Sequence, residues 1–319
     1  MPADPPDPGR EKVRFTSGGT DCVAWHYRGT NRACVIMAGG FAVTKEPATD
    51  LFARRFHEDG FSVLAFDYRR LGESGGTPRL VLPVADQLAD WEAAIGFAAT
   101  LDGVDADKLA IWGFSASGGH IFELAARDRR VAAGIAQTPN ADGPAAARNQ
   151  ARHQTAGAML RFTAIALLDT VGGWLGRPPR LVPLFARPGT VALLTTPDSQ
   201  DGGRALDPDG RYPDWRRTVA ARSALRTGLY RPGRAAPRSR CPLLVLVCDG
   251  DQSALAEPAV RAAKAAPRAE LVRLPGGHYE PFLSGHQQAA EAELSFLRRH
   301  LLVAGGASSS PQLTGEAAG

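Results

Sequence analysis

Leu109-Ala-Ile-Trp-Gly-Phe-Ser-Ala-Ser-Gly-Gly-His, ending at His120, places Ser115 between small residues, directly after an apolar run and directly before a helical one. A strand that turns sharply into a helix lifts a serine hydroxyl above a sheet. The turn leaves no room for a large residue two positions before or after that serine. Gly113 meets the requirement. The position two after Ser115 is Ser117, small enough to fit, with Gly118 and Gly119 behind it. Taken alone the stretch is equally readable as an ordinary strand-to-helix turn.

The partners come later in the chain. A serine hydroxyl becomes a useful nucleophile when a histidine takes its proton and a carboxylate orients that histidine. Asp251 follows the apolar run Leu243 to Cys248, and His278 follows the run Glu270 to Leu274 in Pro-Gly-Gly-His-Tyr. The separations are 136 residues from serine to acid and 27 from acid to histidine. They leave room for an insertion before the acid, and for one helix and one strand after it. Asp249 is the rival acid. Asp251 is preferred because Asp249, at the strand end, is better suited to bracing the loop, and loop spacing alone leaves open which of them touches His278. His120 is the rival base, but on the helix after Ser115 it should point away or pack against the sheet. The first apolar run ends in Met37-Ala-Gly-Gly-Phe, where the N–H of Phe41, with that of Ala116, is placed to receive an oxyanion. Gly39 and Gly40 would then lie against the substrate.

Around these points short apolar runs alternate with amphipathic stretches: Cys34 to Ala38 then Asp50 to Asp59, Ser62 to Phe66 then Leu82 to Thr100, Leu109 to Gly113 then Gly118 to Arg127. That rhythm predicts an α/β fold, with a mostly parallel central sheet and helices on both faces. It lapses after Ala132 to Gln137 and returns at Pro242. The expected organisation is a disordered start (1–11), a first part of the core (12–140), a lid inserted at 141–237, a second part of the core (238–303) and a disordered tail (304–319). Within the lid the pattern predicts an apolar helix over Ala156 to Val171, a Pro/Gly-broken middle over Gly172 to Gly189 and an Arg-rich helix over Tyr212 to Leu229. Phe162 and Trp174 are the lid residues expected to touch an acyl group, among a near-continuous apolar series that also includes Ile165, Leu167, Leu168 and Val171.

Composition narrows the class. The chain has 319 residues, 44% hydrophobic and 22% charged, which suits a large globular domain and excludes collagen-like or wholly disordered readings. Cys22, Cys34, Cys241 and Cys248 form no C-x-x-C pair and read as reduced, structural thiols. The acidic, proline-rich start predicts no export signal, and Arg161 and Asp169 interrupt the most apolar window, so a cytoplasmic chain with no membrane partner is expected. The 37 basic and 33 acidic residues leave a net charge of +4, with the arginines dispersed, so no nucleic-acid partner is expected. The remaining histidines have no cluster at metal-ligand spacing, so neither metal nor other cofactor is expected. Gly72-Glu-Ser-Gly-Gly lacks the lysine of a phosphate loop and reads as a structural turn beside the site. Asp86 and Asp90, four apart on a helix, read as a solvated face.

In the order of oxyanion loop, serine turn, acid and histidine, over roughly residues 13–302, the chain resembles the α/β-hydrolase superfamily. More narrowly, Phe66-Asp-Tyr-Arg, Asp90-Trp, Gly113-Phe-Ser-Ala-Ser-Gly-Gly-His and Pro188-Gly-Thr-Val-Ala-Leu-Leu-Thr-Thr-Pro-Asp are similar to a branch that includes polyketide transferases and dienelactone-hydrolase-like proteins. The resemblance implies Ser115 as nucleophile, His278 as general base and acid, and Asp251 as orienter. It also implies an ester or thioester of a hydrophobic, polyketide-like acyl group as substrate, free or carrier-bound. Two positions depart from the branch: Gly39 where relatives usually carry histidine, and Ser117 where they carry glycine. The first motivates an alternative in which the same fold eliminates a carboxylate or cyclises its substrate, with His278 as the base. A non-catalytic binding protein is the third reading. The oligomeric state is not legible.

Overall fold

The computed structural model describes residues 9–302, so residues 1–8 of the disordered start expected at 1–11, and the whole tail expected at 304–319, lie outside the described residues. Arg10 and Glu11, read from composition as part of the disordered start, instead open the first strand, β1 (Arg10–Ser17). It folds back on β2 (Thr20–Tyr27) in register from Arg10 opposite Tyr27 to Ser17 opposite Thr20. Gly18 and Gly19 both have positive φ at this turn, as tight two-residue hairpins require. Arg10 is held there by an ion pair to Asp50 at 3.0 Å. The Met37 strand is therefore the third, not the first.

Strands and helices then alternate: β3 (Cys34–Ala38), α1 (Lys45–Glu58), β4 (Ser62–Phe66), α2 (Val84–Ala98), β5 (Leu109–Phe114), α3 (Ala116–Arg127) and β6 (Val131–Gln137). After an intervening segment come β9 (Leu243–Cys248), α8 (Ala256–Ala265), β10 (Ala269–Leu274) and α9 (His286–Leu297), which runs into a π-helical turn, Arg298–Leu302. The sheet order is β1-β2-β4-β3-β5-β6-β9-β10, with every neighbouring pair parallel except β1–β2 and β2–β4. All residues of β3, β4, β5 and β9 are buried, as in a parallel sheet covered on both faces, which explains why these strands read as continuous apolar runs. This is the architecture that the resemblance implies. The four cysteines are free and buried, and burial pushes the Cys34 thiol up to about 12, which suits inert packing.

The segment between β6 and β9 holds α4 (Gly143–Arg152), α5 (Ala156–Trp174), β7 (Leu181–Pro183), α6 (Gly202–Leu206), β8 (Thr218–Ala220) and α7 (Ala221–Thr227). Sequence reading passed over α4, although Asp142 caps it by accepting from Ala145 N–H and Pro144 opens its first turn. The Arg-rich helix expected over Tyr212 to Leu229 shrinks to α7. Pro213 and a left-handed Arg217 (φ 53) break the helix, and Thr218–Ala220 pairs with β7 instead.

A second correction concerns charge. Asp90 is buried and accepts from the backbone N–H of Arg69 at 2.9 Å and from its Nε at 2.5 Å, while Asp86 pairs with Arg70 at 2.6 Å. Asp90 faces inward because Arg69, just past the end of β4, neutralises it, whereas Asp86 stays partly exposed. The Gly72–Gly76 turn is structural: Glu73 N–H and Ser74 Oγ bind Asp67, which in turn accepts from the Lys45 N–H at the start of α1.

Candidate active site

Parallel sheets present the carboxyl ends of their strands as a natural site, and here four loops meet there: those after β3, β5, β9 and β10. The β5 loop is the serine turn. Ser115 has φ 58 and ψ −115, a conformation rare outside glycine, held by its N–H on Gln137 O and by its carbonyl accepting from Gly119 and Asn140 N–H. A side chain at Gly113 would meet the Ser117 backbone at 2.5 Å, which is the physical reason for glycine there.

His278 Nε2 lies 2.9 Å from Ser115 Oγ, and its Nδ1 lies 2.7 Å from Asp251 Oδ2. The other Asp251 oxygen accepts from Ser253 N–H at 2.9 Å and Ala254 N–H at 2.7 Å, which fixes the carboxylate plane. With the imidazole proton on Nδ1 facing Asp251, the lone pair on Nε2 faces the hydroxyl. Burial opposes charging of His278, but Asp251 beside it and Asp198 farther out hold its pKa above the ordinary imidazole value. Asp249, the rival acid, is exposed and pairs with Arg273 at 2.7 Å. His120, the rival base, is buried, lies 3.2 Å from Tyr230 OH and is pushed down to about 3 by burial and the charge of Arg127.

The β3 loop approaches the serine turn closely, because a side chain at Gly40 would stand 3.3 Å from Ser115 Cβ. Phe41 and Ala116 both border the cavity beside Ser115, and their N–H groups make no hydrogen bond among the described residues. Gly39 and Gly40, expected against the substrate, do not line that cavity; they let the loop pass the serine turn. The two departures from the family pattern meet here. Ser117 Oγ donates to the Gly39 carbonyl and accepts from Tyr68 OH, which accepts from Trp91 Nε1 at 2.8 Å. This chain of buried hydrogen bonds pins the β3 loop to the serine helix. Ser117→Ala is expected to lower kcat about tenfold with KM little changed, since freeing the Gly39 carbonyl loosens the neighbouring Phe41 N–H without deleting it. Steady-state kinetics on a chromogenic ester checks this, and an unchanged kcat would make the serine mere packing.

Asp198, within a short 3-10 turn (Pro197–Asp201) of the segment between β6 and β9, closes the Pro188-to-Asp198 stretch quoted for the resemblance, but sequence reading gave it no role. Its Oδ2 accepts from Gln252 N–H at 2.7 Å and from Ser253 and His278 N–H at 3.2 Å, and its Oδ1 accepts from Ser253 Oγ at 2.9 Å. One carboxylate thus ties the acid loop and the histidine loop to the covering segment. Asp198→Asn is expected to cut kcat about tenfold by weakening charge-assisted bonds. Removing the negative charge also lowers the His278 pKa, so the acid limb of the rate profile, which follows loss of the proton from His278, moves to lower pH. A purely structural aspartate would reduce activity without moving that limb.

The cavity above Ser115 encloses about 260 Å³ and is mainly apolar, with Phe41, Ala147, Met159, Phe162, Leu193 and Leu194 among its walls. Phe162 is where sequence reasoning put it. Trp174 is not: it sits at the far end of α5, 79% exposed and outside the cavity. Helical spacing turns it about a third of a turn away from Phe162, off the covered side. Among the described residues no group of three or more His, Cys, Asp or Glu is placed to hold a metal ion.

The alpha/beta hydrolase family description matches residues 29–292. The chain is 37% identical over 292 residues to the quorum-quenching protein AidA of Acinetobacter baumannii, spanning 90% of this chain and 94% of that one. It is 32% identical over 184 residues to the polyketide transferase af380 of Aspergillus fumigatus, spanning 56% and 59% respectively. Among solved structures, the alpha/beta hydrolase GrgF from a Penicillium species superposes with a TM-score of 0.76 over 92% of this chain and 99% of that one, at 23% identity, which shows a shared fold.

Proposed function

From the premise that the chain belongs to the alpha/beta hydrolase family and is an enzyme, we propose that it cleaves or transfers the acyl group of a hydrophobic ester or thioester through Ser115. The observation that carries this reading is the unbroken path from Asp251 through His278 to Ser115 Oγ, opening on an apolar cavity. Ser115 attacks the acyl carbon as its proton passes to His278 Nε2. The Phe41 and Ala116 N–H groups receive the negative charge on the carbonyl oxygen. The proton then goes from Nε2 to the departing alcohol or thiol, leaving the acyl group on Ser115. Water or a second alcohol, deprotonated by the same nitrogen, releases it. Relatives named polyketide transferase and thiohydrolase support a polyketide-like thioester, and the quorum-quenching relative supports a quorum-sensing signal as the other candidate.

The elimination reading uses His278 alone and leaves the 2.9 Å contact to Ser115 Oγ without a purpose. The test is intact-protein mass spectrometry after exposure to a fluorophosphonate and to a series of acyl thioesters of rising chain length. A single adduct mapped to Ser115, with turnover favouring longer apolar chains, is expected. Turnover yielding an alkene and free carboxylate, with no adduct at Ser115, would replace the proposal by elimination.

A further inference from the structure

We propose that the outer face of α5 docks the protein on an anionic lipid surface, with the helix lying in the plane of the interface. A surface helix normally shows water a polar face, because each exposed large apolar side chain forgoes the gain from burial. α5 does the reverse. Its inner side is covered: Ala158 and Ala166 are buried, and Phe162 and Ile165 pack on the core. Its outer side exposes Leu160 (73%), Leu167 (54%), Leu168 (57%), Val171 (48%), Trp174 (79%) and Leu175 (66%). These positions recur at the three- and four-residue spacing that places them on one face. A continuous apolar stripe of this kind marks a contact surface.

Charge specifies the partner. Residues 151–192 contain Arg152, Arg161, Arg177, Arg180 and Arg187 against a single acid, Asp169. Asp169 is buried, paired with Arg222 at 3.0 Å and accepting from the backbone N–H groups of Arg180 and Arg222. Among the described residues Arg161, Arg177 and Arg180 have no carboxylate partner. Arg161 adjoins Leu160 at one end of the stripe. At the other, Arg177 and Arg180 border a cleft of about 300 Å³ whose floor includes Leu168, Val171 and Leu175. Apolar residues and tryptophan flanked by guanidinium groups match the acyl and phosphate layers of an anionic lipid surface. A second copy fits less well. Packing two stripes together brings arginine rows against each other, with no exposed acid in 151–192 to offset them. No described helix is long and apolar enough to cross a membrane, so the contact is peripheral. The other side of the same helix lines the acyl cavity through Met159 and Phe162, so docking would set that cavity beside a reservoir of apolar molecules. The inference departs from the sequence expectation of no membrane partner and does not depend on the reaction proposed above.

The experiment is co-sedimentation of the full chain with phosphatidylcholine vesicles, with and without phosphatidylglycerol, alongside sedimentation velocity without lipid. Binding to the anionic vesicles alone is expected. Replacing Arg177 and Arg180 together by alanine should weaken it about 30-fold, and Leu168→Glu should abolish it. Both variants should keep the wild-type circular dichroism spectrum and melting temperature, which certifies the fold. Failure of the wild-type chain to bind anionic vesicles overturns the proposal, as does binding that neither variant weakens. A dimer that Leu168→Glu dissociates, with no vesicle binding, would assign the face to self-association instead.

Discussion

Ser115→Ala is expected to lower kcat on an acyl ester or thioester by on the order of 10⁴- to 10⁶-fold while leaving the fold intact. Among the described residues the side chain makes one polar contact, the 2.9 Å approach to His278 Nε2, so its loss strands no other buried group there. The strained backbone at φ 58 is held by main-chain bonds to Gln137, Gly119 and Asn140, and alanine carries the same Cβ that serine already places there. The variant should therefore fold and bind. What disappears is the covalent route, and the residual rate over water reflects binding and the two N–H donors alone. His278→Ala should cost a similar factor, and the double variant scarcely more, because groups acting as one unit are not additive. Active-site-titrated kinetics with circular dichroism as the fold control decides the matter. Undiminished turnover in Ser115→Ala would sink the assignment of this site.

Why this much was legible lies in the strands. Ser115, Asp251 and His278 each stand within a few residues of the end of a parallel strand, and a parallel sheet gathers such ends at one edge, so order along the chain predicts meeting in space. Ser115, Asp251 and His278 are brought together on that logic, as is Phe162 through helical periodicity in α5. Three kinds of information were hidden. Asp198 reaches the acid loop across 54 residues and the histidine across 80, and nothing in its own neighbourhood marks those contacts. Asp90 looked solvent-facing because its neutralising partner, Arg69, is 21 residues away. Trp174 was misplaced because a helix apolar on every side does not say which side is covered. The β1–β2 hairpin was different: Gly18-Gly19 between alternating residues carried the turn signal, and the polar flanking residues obscured it.

The choice between Asp249 and Asp251, which loop spacing left open, becomes a measurable contrast. Asp251→Asn is expected to reduce kcat about 10⁴-fold, by a mechanism that the hydrogen bonds define. Oδ1 of Asp251 accepts from two backbone N–H groups, Ser253 and Ala254, so an asparagine will keep its carbonyl oxygen on that side. Its NH₂ then faces His278 Nδ1. A donor there forces Nδ1 to accept, which moves the imidazole proton to Nε2 and aims an N–H at Ser115 Oγ, where a lone pair is required. The ring stays in position and loses its ability to take the proton. Asp249→Asn makes the opposite case. Its partner Arg273 is half exposed, at 50% against 53% for Asp249 itself, and an ion pair so placed contributes within about 1 kcal/mol to stability and nothing to the imidazole. Activity within a factor of two of wild type is expected. Kinetics of the two variants side by side, with thermal melts to exclude misfolding, separate the roles. A collapse of kcat in Asp249→Asn, with Asp251→Asn spared, would move the orienting carboxylate to the strand end and require the β9 loop to rearrange before the serine can act.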